Sequence, residues 1–137
     1  MADRELIVWR GGAHRFRLGL GELRRLQRNC NAGPEQVFNR LRGGAWMIDD
    51  LIEPIRLGLI GSGEMTESEA GPEVTKILEQ YPPVELKLTA AEILARAIFG
   101  HPEDEGDEDE GPLAGAEAGT ESPGDGISPG STETGPS

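Results

Sequence analysis

Apolar positions change their period along the chain, and each change marks an element. In ELIVWRGGAHRFRLGL (residues 5–20) a short β-branched and aromatic run turns at Gly11 and Gly12. It resumes with Phe16, Leu18 and Leu20 alternating against Arg15, Arg17 and Gly19. Period-two alternation around a glycine pair predicts a β-hairpin. A lone hairpin is marginal in water, so its apolar face must rest on something else.

From there the spacing becomes helical. Leu20, Leu23, Leu26 and Cys30 fall on one side of a helix over about 21–30, with Arg24, Arg25 and Arg28 on its flanks and outer face. In GPEQVFNRLRGG, Pro34 stands at a first helical position, Val37, Phe38 and Leu41 share a side, and Gly43 and Gly44 end the element. A third helix is predicted in AWMIDDLIEPIRLGLIG, where Leu51, Ile52, Ile55, Leu59 and Ile60 are the apolar positions. Pro54 favours a start close to Asp50, or a bend, because an interior proline removes a backbone hydrogen bond and can kink the rod.

Gly61 to Gly63 read as the end of that helix, and Gly58 as a point of close approach by a neighbouring element. Thr66 and Glu69 form a capping box for a fourth helix. Gly71 and Pro72 suggest a reset before Val74, Ile77, Leu78 and Tyr81 align, and Pro82 and Pro83 close the element. For the last helix the pattern predicts Thr89 as N-cap with Glu92 three residues on, Leu88 and Ile93 as a hydrophobic staple, and Gly100 past the end. The fold class is mainly α (small α+β): an N-terminal β-hairpin packed on four to five short helices, followed by a disordered acidic C-terminal tail.

Charge sharpens the division at residue 100. All 13 Lys and Arg lie at or before Arg96, whereas 11 of the 25 Asp and Glu lie beyond Gly100. Residues 1–100 are therefore nearly neutral at -1, and the remaining -11 of the overall -12 belongs to residues 101–137. That segment is rich in Gly, Pro, Ser and acids, with Leu113 and Ile127 as its only large aliphatic side chains. It is expected to be disordered, since it cannot bury enough surface to offset its ordering entropy.

Candidate chemistry is sparse. GLIGSG satisfies a loose glycine count, but a helix precedes it, the P-loop Lys-Ser/Thr pair is missing, and Glu64, Glu67 and Glu69 follow, so a phosphate would be repelled. Cys30, a lone cysteine, supports no intramolecular disulfide and reads as a half-buried small apolar residue. His14 and His101 fall in the hairpin and at the edge of the tail, with no spacing that joins them to Cys30 as a nucleophilic site. Asp49, Asp50 and Glu53 could hold a metal, yet acids at a helix start are what capping and the macrodipole favour. The arginine-rich first third is compatible with nucleic acid, which the acids of residues 43–137 disfavour. No run approaches the roughly 18 apolar residues of a membrane span, and no secretory signal pattern opens the chain, so a cytoplasmic bacterial setting is expected.

The order of weak features along the chain carries more than any one of them. Gly12 to Leu18, Leu23 to Gln27, Gly44 with Trp46, Ile55 to Gly63, Glu69 with Ala70, and Ala91 to Gly100 together resemble the gene transfer agent tail protein family of phage-like tail assembly chaperones. The resemblance spans most of residues 8–100 and leaves the acidic tail outside it. It implies a non-enzymatic role in phage-like tail assembly, with no cofactor, no metal and no small-molecule substrate. The implied partners are a helical tape-measure protein or a major tail protein. Homo-oligomer formation and association with phage-like particles are compatible with that role. On this reading the partner interface draws on Arg15, Arg17, Arg24, Arg25 and Arg28 for electrostatic steering, and on Trp46, Ile55, Leu59 and Ile60 for apolar contact. The alternatives are a retained tail-tube component, or a small acidic-tailed adaptor or regulatory protein.

Overall fold

The computed structural model of the chain describes residues 6–101. The expectations for residues 1–5 and for the acidic tail from residue 102 onward lie outside the described residues. Strand β1 (Leu6–Trp9) pairs antiparallel with β2 (Gly12–Arg15), in the register Leu6 to Arg15, Ile7 to His14, Val8 to Ala13 and Trp9 to Gly12. Five helices follow: α1 (Leu20–Cys30), α2 (Pro34–Gly43), α3 (Ile48–Ser62), α4 (Glu67–Gln80) and α5 (Lys87–Phe99), the last entered through a 3₁₀ turn at Pro83–Leu86.

Helix α3 is the axis of the domain, packing against α1, α2, α4, α5 and β2. Leu51, Pro54, Ile55, Leu57 and Leu59 are fully buried, so apolar side chains leave this helix on more than one side. That is the signature of a core helix rather than a surface one. Around it close Leu26 from α1, Val37 and Leu41 from α2, Val74 from α4, Leu86 from the 3₁₀ turn and Leu94 from α5, each at 0% exposure. Each large aliphatic side chain buried this way contributes roughly 1.5–3 kcal/mol.

The hairpin reaches this core through a backbone contact. After β2 the chain stays extended through Phe16 and Leu18, both buried, and crosses α3 at its glycines. The Arg17 N–H donates to the Gly58 carbonyl at 3.0 Å. A Cβ on Gly58 would stand 3.1 Å from the Phe16 ring, and a Cβ on Gly61 only 2.1 Å from the Arg17 carbonyl oxygen. Gly58 thus marks the expected close approach. Gly61 has the same role within the helix, and the helix is capped by Gly63 alone, in the left-handed region at φ 84°. On either side of that cap, Ser62 donates its hydroxyl to the Arg15 carbonyl at 2.7 Å and a Glu64 carboxylate oxygen accepts the Arg15 N–H at 3.1 Å.

Several boundaries differ from the sequence expectation, each for a local reason. Strand pairing ends at Arg15, because Phe16 to Leu18 turn their attention to α3, and Leu20 opens α1 at 67% exposure rather than joining the apolar face. Helix α3 begins at Ile48, two residues before Asp50, whose carboxylate at the third helical position accepts the Met47 N–H at 2.8 Å. Pro54 removes one helical donor and is accepted in the interior. Helix α4 runs through Pro72 without a break, opening on the Thr66 and Glu69 capping box as expected.

The last helix departs most. The 3₁₀ turn hands its hydrogen bonding directly to α5, with Glu85 N–H on the Pro82 carbonyl and Lys87 N–H on Val84, so no side-chain N-cap is needed. Thr89 is not an N-cap; it is buried as the third residue of α5, and Leu88, 80% exposed, makes no staple.

The two glycine environments give a paired prediction. Gly61→Ala drives a methyl into the Arg17 carbonyl and should lower stability by about 1–3 kcal/mol or more. Gly21→Ala, in α1 with nothing within 4 Å of the added carbon, should be neutral or raise stability by up to about 0.5–1 kcal/mol. Urea denaturation of the two variants beside the parent chain measures both.

Candidate interaction surface

The arginines expected to steer a partner divide into two groups. Arg25 lies on the α4 side of α1 and forms a bidentate pair with Glu67 at the first position of α4. Its hydrogen bond holds the Glu67 carboxyl below its usual range and raises the Arg25 guanidinium further above its own. Glu67 also meets Arg56, at 3.8 Å. Arg56 in turn donates to Glu53 from Nε at 3.1 Å and from Nη2 at 2.8 Å, and Asn29 of α1 adds a third donor at 2.8 Å. The chain Asn29, Glu53, Arg56, Glu67, Arg25 therefore laces α1, α3 and α4 together along one side.

Arg15, Arg17, Arg24 and Arg28 are exposed. Arg15 sits 3.2 Å from Glu64, beside the backbone bonds that hold its own strand. Arg24 and Arg28 stand four residues apart on the outer face of α1 and form no ion pair among the described residues. They sit in line with exposed Leu20, so the outward stripe of α1 is one apolar and two cationic side chains at i, i+4 and i+8 spacing.

The apolar half of the expected interface is placed differently. Ile55 and Leu59 are at 0% exposure within the core and supply no surface. Trp46 and Ile60 are half-buried, packed against the core with part of each side chain outside. Beside Trp46, Met47 and Ile48 are 64% and 49% exposed. Helical periodicity marks Ile55 and Leu59 as apolar but cannot say that the helix is surrounded. It misses Met47 and Ile48 because they precede the predicted helix start. Phe99, half exposed at the end of α5, stacks edge-on with Phe38 of α2, which also lies under Arg42.

At the hairpin tip, Arg10 lies over the Tyr81 ring at 4.4 Å and donates to Glu85 at 2.6 Å, tying the turn to the 3₁₀ segment. The Trp9 indole crosses the turn closely enough that a Cβ on Gly11 would fall 2.4 Å from it. Its Nε1–H donates to His14 Nδ1 at 2.9 Å, which places the imidazole proton on Nε2. His14 is thus a wall of the Trp9 and Phe16 aromatic cluster.

Two of the three carboxylates considered for a metal, Asp50 and Glu53, are also spoken for, and Asp49 is exposed. Asp50 caps α3 and faces Arg40 at 3.4 Å, and Glu53 is enclosed by its three donors. Among the described residues no group of three His, Cys, Asp or Glu side chains could hold an ion. Cys30 is buried with its thiol 3.5 Å from the Asp49 carbonyl, and burial, reinforced by the Asp50 charge and hydrogen bond, pushes it up to about 12. Among the described residues no helix is long and apolar enough to cross a membrane.

What remains is a small helical module with a docked hairpin, whose polar groups brace helices or face solvent. A family model described as "Phage tail tube protein, GTA-gp10" matches residues 5–100, and the chain belongs to this family of phage tail assembly chaperones, which is non-enzymatic. No curated protein matches the chain significantly, and no solved structure does.

Two outcomes test the placement of these groups. Glu53→Ala strips Arg56 and Asn29 of their acceptor in a mostly buried site and should cost about 3 kcal/mol in a chemical denaturation experiment. Cys30 should resist thiol reagents in the native protein and react fully on unfolding. Its thiol loses a proton near 9.0 when unfolded but only near about 12 when folded, so its contribution to stability is complete below 9 and declines as pH rises toward 12. Cys30→Ala should flatten the alkaline limb of a stability-against-pH curve.

Proposed function

We propose that this domain is a tail assembly chaperone that holds an aggregation-prone helical tape-measure protein until tail-tube subunits enclose it. The observation that carries the reading is the family match over residues 5–100, which takes in every described strand and helix. The surface supports it. The outward stripe of α1, with Leu20, Arg24 and Arg28 at helical spacing, suits an amphipathic partner helix that carries acids beside its apolar positions. Arg15 and Arg17 extend the cationic side along the hairpin exit. Trp46 and Ile60, with Met47 and Ile48, offer apolar contact, whereas Ile55 and Leu59 act only through the core and Arg25 through its tie to α4.

A second reading is that the protein is retained as a tail-tube-associated component, and the words "tail tube protein" in the family description favour it. The two differ in timing: a chaperone leaves the finished particle and a subunit stays. In either case the partners are tail proteins, and the setting is the cytoplasm of a bacterium in which tails are assembled.

Co-expression with a long helical tail tape-measure protein tests the proposal. The full chain should co-purify with that protein and raise its soluble fraction, and an Arg24→Glu/Arg28→Glu variant should lose both effects while keeping its own helix content. Absence of co-purification and of any solubility gain would overturn the chaperone reading. Presence of this chain at fixed stoichiometry in purified particles would favour the retained component.

A further inference from the structure

The hairpin has two edges, and the fold treats them differently. A two-residue connection at Arg10 and Gly11 makes Trp9 with Gly12, and then Ile7 with His14, the hydrogen-bonded pairs. The N–H and C=O groups of the intervening residues point away from the partner strand. On β2 the outward groups of Arg15 are taken, its N–H by Glu64 at 3.1 Å and its carbonyl by the Ser62 hydroxyl at 2.7 Å. On β1 the outward groups of Leu6 and Val8 have no such cover among the described residues. Their side chains are also outside, Leu6 at 45% and Val8 at 79% exposure, and no charge or proline interrupts LIVW. Edge strands are ordinarily protected by one of those devices.

We propose that β1 is a self-association edge, at which two copies of the chain pair antiparallel to give the four-stranded order β2, β1, β1, β2. The pattern of free groups selects the register. Placing Leu6 of one copy opposite Val8 of the other brings outward-facing residues together as hydrogen-bonded pairs, and the two-fold axis then passes between the Ile7 residues. Four backbone hydrogen bonds form, and each exposed aliphatic side chain gains an aliphatic cross-strand neighbour.

Charge permits the arrangement. No ionised side chain lies within the paired LIVW segments, and Arg10 at the turn is held by Glu85. The two Arg15 residues fall on the outer strands, about 14 Å apart laterally at three strand spacings and offset by two residues along the strand, which exceeds the roughly 8 Å screening length at physiological salt. The same pairing through β2 would have to displace Ser62 and Glu64. A four-residue seam buries well under the roughly 800 Å² per partner of a standard stable interface, so the association is reversible and set by concentration.

Sedimentation velocity on the full chain over a wide concentration series tests this. The parent protein should shift from monomer toward dimer as concentration rises. Val8→Pro removes an outward N–H without touching the β1–β2 ladder, and Val8→Lys puts a charge into the seam. Both should remain monomeric across the series with unchanged helix content. Ala13→Lys, on the covered strand, should associate like the parent. A parent chain that stays monomeric throughout would overturn the proposal and leave the edge to a strand of another protein. Undiminished association of both Val8 variants would also overturn it, because the contact would lie elsewhere.

Discussion

The docking of the Arg15–Leu18 segment onto the glycine face of α3 is the contact on which the rest of the structure depends. A two-stranded hairpin has too little surface to stand alone, and a core of short helices needs a lid over the side of α3 that its neighbours leave open. One crossing meets both needs. It requires a helix face with no side chain at two positions one turn apart, and Gly58 and Gly61 supply it, with the Arg17 amide on the Gly58 carbonyl at 3.0 Å. Phe16 and Leu18 can then reach the core from a strand that lies against helix backbone.

Charge performs a second structural task that is easily mistaken for function. Asp50 and Glu53 are buried on α3 at 0% and 7% exposure, and each is enclosed by donors from its own helix and from a neighbour. Breaking such sites is far more damaging than their net contribution suggests, which makes them constraints on how α1, α2 and α4 can sit. Arg25 and Arg56 belong to that frame. Arg24 and Arg28, on the outer face of α1, stand outside that frame, so fewer of the arginines in residues 1–42 are clear of it than composition alone implies.

Much of the fold was legible because the chain states its helix ends locally. Thr66 with Glu69, Pro34 at a first helical position and the glycines after α2 and α3 act within one turn, and each placed its element. The glycine string was readable as a corner, but that Gly61 serves a carbonyl 44 residues away is a tertiary fact with no local trace. At α5 the sequence carried a persuasive capping signature around Thr89, and the 3₁₀ turn made it redundant by moving the helix start three residues earlier, from an N-cap at Thr89 to one at Leu86. Of the candidate surface, the exposed arginines were legible from helical spacing. The burial of Ile55 and Leu59 was not, since spacing reports one apolar side of a helix and not how many neighbours surround it. The exposed Leu6 and Val8 were hidden for the converse reason: an apolar strand reads as interior until its partners are counted.

Native-state hydrogen exchange reads the docking contact itself. The Arg15 and Arg17 amides lie in or beyond a short strand whose own pairing would protect neither, so their protection must come from Glu64 and from the Gly58 carbonyl. The Arg17 amide should exchange as slowly as the amides in the middle of α3, with Arg15 close behind. Exchange of both at the rate of an exposed loop, with α3 still protected, would contradict that docking.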